Sequence, residues 1–214
     1  GSASRVDSSS SFHHSHFTPH SSPPMRSQPN RDYVSNDDIQ TPLALARRLV
    51  AHFQPTGKIL EPCRGHGNFL KALREHQRSS QLTASRLKLT ATSVQWAEVK
   101  RGRDFFDWDQ PVDWIITNPP WSQIRDFLCH AMELSNHVVF LFTINHLWTK
   151  ARLRDIHNAD YGIREIVLVD MPKTFPQSGF QLGAVHLQYG WKGKITLSEL
   201  DESRGGSSTR LENQ

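Results

Sequence analysis

The chain has 214 residues, with 25 Lys and Arg against 21 Asp and Glu, and its net charge of +4 permits a nucleic-acid partner without demonstrating one. Only 36% of the residues are hydrophobic, and the deficit falls in two polar segments, 1–36 and 201–214, which we predict to be disordered tails around one domain at 37–200. This organisation excludes a long multidomain architecture, and the lack of an 18-residue apolar run excludes a membrane span.

Helical and strand patterns alternate along the domain. Four segments with helical spacing predict helices at 43–53, from Asn68 onwards, at 124–132 and at 148–156. Seven runs predict strands: Lys58–Glu61, Thr92–Val99, a brief strand or edge before Asp104–Trp108, Val112–Thr117, Val138–Ile144, Ile163–Val169 and Ala184–Trp191. Residues 77–88 are polar and are predicted as a loop or irregular insertion, and Thr41 and Ser122 are predicted N-caps. This alternation predicts an α/β fold with a doubly wound sheet.

A glycine-containing turn follows the first strand and reads Glu61-Pro62-Cys63-Arg64-Gly65-His66-Gly67-Asn68-Phe69. Two glycines one residue apart, after a buried strand, let the backbone come close to a ligand. The carboxylate at the strand end could hold an amino or hydroxyl group. On this motif alone, a tight turn between strand and helix is an equally good interpretation.

The sequence Asn118-Pro119-Pro120-Trp121 ends the strand Val112–Thr117. Consecutive prolines fix φ and lack N–H groups, so their carbonyls are held rigid and free to accept hydrogen bonds. The Asn118 carbonyl oxygen is a second acceptor, and two acceptors converging on one NH2 group would orient it and raise its lone-pair availability. Trp121 offers a flat face for a heteroaromatic ring. The alternative interpretation is a proline-terminated strand followed by a core tryptophan.

The positions of the two motifs sharpen both interpretations. Ligands of open α/β sheets bind beyond the carboxyl ends of the central strands. The glycine turn ends the first strand, and the Asn-Pro-Pro-Trp motif ends the strand Val112–Thr117. If those strands are neighbours, the two motifs face the same crevice.

Together the motifs resemble the S-adenosylmethionine-dependent amino methyltransferases, and within them the adenine-N6 DNA methyltransferases, over roughly residues 39–192. That family pairs N-P-P-[WYF] with an upstream [DE]-P-x-x-G-x-G-x-F loop, as here, although Arg64 stands where the family usually has a small residue. The resemblance implies a single-domain, Rossmann-like class I methyltransferase fold with a seven-stranded, mostly parallel sheet. It also implies S-adenosyl-L-methionine as the cofactor and direct methyl transfer without a covalent intermediate.

The resemblance also implies residue roles. Asn118 and the Pro119 carbonyl would accept hydrogen bonds from the target amino group, Pro120 would rigidify the turn, and Trp121 would stack on the flipped base. The implied cofactor-binding residues are Gln40, Thr41, Pro42, Glu61, Pro62, Cys63, Gly65, Gly67, Phe69, Glu98, Asp104, Phe105 and Asn118. Of these, the glycine-turn residues would line the methionine end, Glu98 would bind the ribose hydroxyls, and Asp104 with Phe105 would meet the adenine ring.

The predicted function is methylation of the adenine N6 amino group in DNA. Predicted nucleic-acid contacts are Trp121, Lys150, Arg152 and Phe180, although a solvated helix face is an equally good interpretation of Lys150 and Arg152. The alternatives are RNA adenine-N6, cytosine-N4 or protein-glutamine methylation, of which Trp121 favours a nucleobase, and a non-catalytic nucleic-acid-binding subunit. The residues from Trp121 to Trp191 are taken up by the last three predicted strands and their helices, which leaves no room there for a separate target-recognition domain. We therefore predict weak sequence specificity, or a partner subunit or dimer that supplies recognition.

Two cysteines, Cys63 and Cys129, form no disulfide framework and fit a reducing compartment. Without an apolar signal segment, this predicts an intracellular protein of the cytoplasm or of the nucleoid or nucleus, with no membrane partner. The histidines at 13–20 lie in the Ser-rich tail, and we predict no metal site there.

Overall fold

The computed structural model describes residues 39–87 and 92–201, so both predicted tails, apart from Asp201, lie outside the described residues. In this part of the chain there are four α-helices: α1 (Leu43–Phe53), α2 (Asn68–Leu87), α3 (Ile124–Leu134) and α4 (Lys150–Asn158). It also has seven strands: β1 (Lys58–Glu61), β2 (Ser93–Trp96), β3 (Val112–Thr117), β4 (Ser135–Thr143), β5 (Tyr161–Val169), β6 (Leu182–Tyr189) and β7 (Thr196–Glu199).

The strands form one mixed sheet in the order β2-β1-β3-β4-β6-β5-β7. Only β6 runs antiparallel to its neighbours, so the sheet is mostly parallel, as predicted. Strands β1 and β3 are adjacent, with Leu60 paired to Ile115. The two sequence motifs therefore leave neighbouring strands at the same edge of the sheet.

Helices cover both faces of this sheet, because the central strands alternate their side chains between two apolar layers. In β4, Phe140 packs in the layer that contains residues of α3 and α4, whereas Leu141 packs in the layer that contains residues of α1 and α2. The doubly wound arrangement is therefore confirmed. No helix among the described residues is long and apolar enough to cross a membrane.

Four local predictions are wrong. Residues 77–87 continue α2 rather than forming a loop. No strand precedes Asp104–Trp108; a 3-10 turn at Val99–Arg101 and an isolated antiparallel bridge between Glu98 and Arg103 stand there instead. The seventh strand is β7, which the sequence patterns did not indicate. The helices α1 and α3 begin at Leu43 and Ile124, as predicted, but their N-caps are Pro42 and Gln123, so neither Thr41 nor Ser122 caps a helix.

Candidate active site

The buried carboxylate of Glu61 lies at the carboxyl end of β1. Its Oε1 accepts hydrogen bonds from the Thr117 hydroxyl of the adjacent strand and from the backbone N–H of Cys63. Its Oε2 is also buried and has no hydrogen-bond partner among the described residues. Burial raises the pKa of Glu61 to about 7 despite the two donated hydrogen bonds, and the nearby Glu98 carboxylate adds to the increase. This carboxylate is poised to accept a further donor or cation.

Two side chains from distant segments hold the glycine loop. The backbone N–H of Gly65 donates to Glu98 Oε2 at 2.7 Å, and that of His66 donates to Gln40 Oε1 at 2.9 Å. Gly65 and Gly67 have φ values of +49° and +89°, which favour glycine. A Cβ on Gly65 would lie 2.4 Å from Gln40 Oε1, so this position also leaves no room for a side chain.

Gly65→Ala should therefore destabilise the protein more than Gly102→Ala does. Both glycines have positive φ, but a Cβ on Gly102 meets nothing within 4 Å, so that variant measures the backbone strain alone. At Gly65 the methyl group must also displace Gln40 and break its bond to His66, which adds about 1 kcal/mol to the loss. Urea unfolding of both variants measures the difference, and equal losses would show that the Gln40 contact contributes nothing.

The Asn118 amide is fixed on both sides. Its Nδ2 donates to the Ile39 carbonyl at 2.9 Å, and its Oδ1 accepts a hydrogen bond from Trp121 Nε1 at 3.1 Å. The indole N–H also contacts the Leu141 carbonyl at 3.3 Å. The Pro119 carbonyl accepts no hydrogen bond from any described residue, whereas that of Pro120 accepts from Gln123 N. The motif thus presents two acceptors, Asn118 Oδ1 and the Pro119 oxygen.

The Trp121 ring is half-buried and packs against two aromatic residues. Phe175, buried in the connection between β5 and β6, meets it edge-to-face with ring centroids 6.0 Å apart, and His146 lies tilted at 6.1 Å. These contacts and the indole hydrogen bonds fix the plane of the ring. The remaining exposed part of the ring lies at the carboxyl edge of the sheet.

The structure joins several of the predicted cofactor residues through hydrogen bonds but buries the rings of two others. Gln40, Gly65 and Glu98 meet through hydrogen bonds, and Glu61 is bonded to Thr117, the residue before Asn118. The rings of Phe69 and Phe105 lie in the core layers against which Trp121 also packs, and Phe105 stacks on Phe127 at 5.2 Å. The Asp104 carboxylate accepts from Phe106 N at 3.0 Å and caps the 3-10 turn.

The predicted nucleic-acid contacts lie in different environments. Lys150 is exposed at the start of α4, and Phe180 is 55% exposed in the loop after β5. Arg152 is half-buried, and its Nη1 donates to the His146 carbonyl at 2.6 Å, so this side chain supports the turn after β4. Trp148, 49% exposed in the same turn, adds an aromatic surface.

Three residues of the site were not predicted from the sequence. They are Ile39 and Leu141, which contribute carbonyls, and Thr117, which contributes a hydroxyl. Thr117 could have been predicted from the sequence, because it is the single hydroxyl residue in the strand Val112–Thr117 and stands directly before Asn118. The two carbonyls carried none, since any residue type supplies one.

No model of a protein family matches the chain, and no curated protein matches it. Three solved structures share its fold at low identity. A modification subunit assigned to a type I restriction enzyme of Vibrio vulnificus YJ016 has a TM-score of 0.54 and 16% identity, over 78% of this chain and 48% of that one. A Listeria monocytogenes protein assigned to the class I S-adenosylmethionine-dependent methyltransferases has a TM-score of 0.51 and 15% identity, over 80% of this chain and 69% of that one. The EcoKI M protein of a type I restriction enzyme has a TM-score of 0.51 and 11% identity, over 74% of this chain and 45% of that one.

These likenesses confirm the predicted fold class, a class I methyltransferase fold with a seven-stranded, mostly parallel sheet. The chain spans about half the length of the two modification subunits.

Proposed function

We propose that this chain transfers the methyl group of S-adenosyl-L-methionine to the exocyclic N6 amino group of adenine in DNA. The observation that supports this best is the fixed pair of acceptors at the end of β3. Asn118 Oδ1 is held by Trp121 Nε1 and by the tether of Nδ2 to Ile39, and the Pro119 carbonyl stands beside it without a described donor. Two rigid acceptors are suited to an NH2 group, which has two hydrogens to donate.

The glycine loop fits the cofactor. Gly65 and Gly67 leave the backbone bare, Glu61 Oε2 is a buried acceptor without a partner, and the Glu98 carboxylate lies against Gly65 N. These groups suit a ligand that carries an ammonium and vicinal hydroxyls. When bound, S-adenosylmethionine would supply a methyl group already activated by its sulfonium.

The chain's own residues would then position and polarise the amine. Asn118 Oδ1 and the Pro119 carbonyl would accept its two N–H groups, which directs the nitrogen lone pair towards the methyl carbon at about 3–3.5 Å. Taking an adenine out of a duplex costs a few kcal/mol. Stacking on the exposed part of Trp121 would return about 1–3 kcal/mol.

DNA and a partner subunit are the proposed context of this reaction. Two of the solved structures that share the fold are modification subunits of type I restriction enzymes, and this chain covers 48% and 45% of them. We therefore propose that a partner subunit or a dimer supplies target recognition. Lys150, Trp148 and Phe180 offer exposed cationic and aromatic groups for DNA on the β4 side of the site.

Incubation with methyl-labelled cofactor tests the proposal on duplex DNA, single-stranded DNA, RNA and a protein extract. We expect label in DNA, recovered as N6-methyladenine after enzymatic digestion and mass spectrometry. Label in cytosine, RNA or glutamine would replace the proposed substrate by that alternative. No calorimetric heat with S-adenosylmethionine would instead favour a non-catalytic subunit.

A further inference from the structure

Three buried polar atoms without a hydrogen-bond partner cluster around the glycine loop. Of the five such side-chain atoms in the described residues, three are Thr41 Oγ1, Glu61 Oε2 and Arg64 Nε. Thr41 lies next to Gln40, which holds the loop, Glu61 ends β1, and Arg64 is in the loop itself. Because buried polar groups are normally bonded, a cluster of unsatisfied ones indicates a polar ligand.

The Arg64 side chain is held across this loop. Its guanidinium carbon stacks over the Trp96 ring at 4.7 Å from the centroid, and its backbone N–H donates to the Ala97 carbonyl at 3.1 Å. Its Nε and Nη2 lie 3.6 and 3.8 Å from the point where a Cβ on Gly67 would stand. The guanidinium therefore lies between the end of β2 and the bare backbone of Gly67.

The Arg64 cation has no acidic partner in the part of the chain that the structure describes. None of the ion pairs there includes it. Glu61 Oε1 accepts from Thr117 and Cys63, and neither Glu61 Oε2 nor Arg64 Nε has a hydrogen-bond partner, so Arg64 and Glu61 are not bonded to each other. The loop thus holds a separate unsatisfied donor and a separate unsatisfied acceptor.

A donor and an acceptor of opposite charge match an α-amino acid, which is a zwitterion. We propose that Arg64 binds the α-carboxylate at the methionine end of the cofactor, opposite the ammonium that Glu61 receives. This inference rests on the proposed cofactor and adds the residue that selects for its carboxylate. Arginine suits this role because Nε and Nη2 form a planar fork that binds both oxygens of a carboxylate. Stacking on Trp96 holds the fork in place before the ligand arrives.

Calorimetry with two ligands isolates the carboxylate. The full chain is titrated with S-adenosylmethionine and with decarboxylated S-adenosylmethionine, which keeps the sulfonium and the ammonium. The wild type should bind the first about 10- to 100-fold more tightly. Arg64→Met keeps the stem over Trp96 but removes the donors, so it should bind both ligands with nearly equal affinity. Arg64→Lys should retain part of the preference.

Arg103→Met is the matched control. Arg103 stacks on the Trp96 ring at 4.4 Å, but it is exposed and is not among the loop's unsatisfied atoms. This variant should keep the full preference, and thermal unfolding checks that all variants are folded. If Arg64→Met does not fold, the wild type and Arg64→Lys still test the proposal.

Two results would overturn the role of Arg64. Equal affinity of the wild type for both ligands means that no residue reads the carboxylate, and an equal weakening of both ligands in Arg64→Met means that the side chain only shapes the loop. Both results leave the cofactor proposal standing. If neither ligand binds the wild type, the cofactor proposal fails, and the role of Arg64 fails with it.

Discussion

Asn118→Ala should lower the rate of methyl transfer by about 10²- to 10³-fold, the usual cost of removing one fixed hydrogen-bonding group from a site of developing charge. The variant keeps the Pro119 carbonyl but loses the acceptor that Trp121 Nε1 holds in place. The amine would then bind with one hydrogen unsatisfied and with its lone pair poorly aimed. Turnover under saturating cofactor and DNA measures the loss.

The same substitution also removes the bond from Asn118 Nδ2 to the Ile39 carbonyl, next to Gln40. Cofactor affinity should therefore fall only a few-fold, and calorimetry separates that effect from the rate. Asn136→Ala is a matched control, because Asn136 is exposed at the amino end of β4, on the opposite edge of the sheet. If Asn118→Ala retains its turnover, the Asn118 motif does not take part in the reaction.

The motif positions could be predicted from the sequence because the relevant physics is local. Consecutive prolines stop a strand, glycines mark a turn, and the carboxyl ends of parallel strands meet at one edge. Adjacency of β1 and β3 then brought the two motifs together, as expected. The sequence could not predict which distant residues hold the two motifs in place by hydrogen bonds. The bonds from Asn118 to Ile39 and from Gly65 to Glu98 join residues 79 and 33 positions apart, and neither has a sequence pattern.

The wrong elements have a related cause, since tertiary contacts override weak local patterns. Residues 77–80 lack apolar periodicity, yet Gln77 Nε2 donates to the Thr92 carbonyl and His76 Nε2 contacts the Pro55 carbonyl, which helps hold α2 against the sheet. Strand β7 is short and exposed. It pairs with β5, and its Ser198 hydroxyl donates to Glu165 Oε1 at 2.8 Å. These contacts with β5, rather than a local sequence pattern, make the segment a strand.

Glu61→Gln should weaken cofactor binding by about 10- to 100-fold at pH 8, the cost of losing a charge-assisted hydrogen bond. Glutamine can still accept from Thr117 and from Cys63 N. Its amide nitrogen, however, would stand where Glu61 Oε2 has no partner, and it would meet the ligand's ammonium as a donor. Calorimetry measures the change, with Glu199→Gln, exposed on β7, as the control.

The pH dependence of binding provides a second, independent readout. Glu61 has a pKa of about 7 without ligand, and an ammonium beside the carboxylate would lower it. Wild-type affinity should therefore weaken as the pH falls below 7, and binding at pH 6 should release a proton. Titrations in buffers of different ionisation enthalpy detect this proton. The glutamine variant should release none, and equal proton release in both proteins would remove Glu61 from the cofactor site.

Although Glu61→Gln should weaken cofactor binding, it should increase the folding stability of the ligand-free protein. The pKa of Glu61 is raised from 4.5 in the unfolded chain to about 7 in the folded one, so the unfolded state loses its proton first as the pH rises. The wild type is therefore penalised progressively between pH 4.5 and 7, and the penalty stays constant above that. Glutamine has no such penalty, so the melting temperature of Glu61→Gln should rise relative to the wild type across this window. A variant that is more stable yet binds the cofactor less tightly would show that the buried carboxylate is kept for its ligand at a cost to the fold.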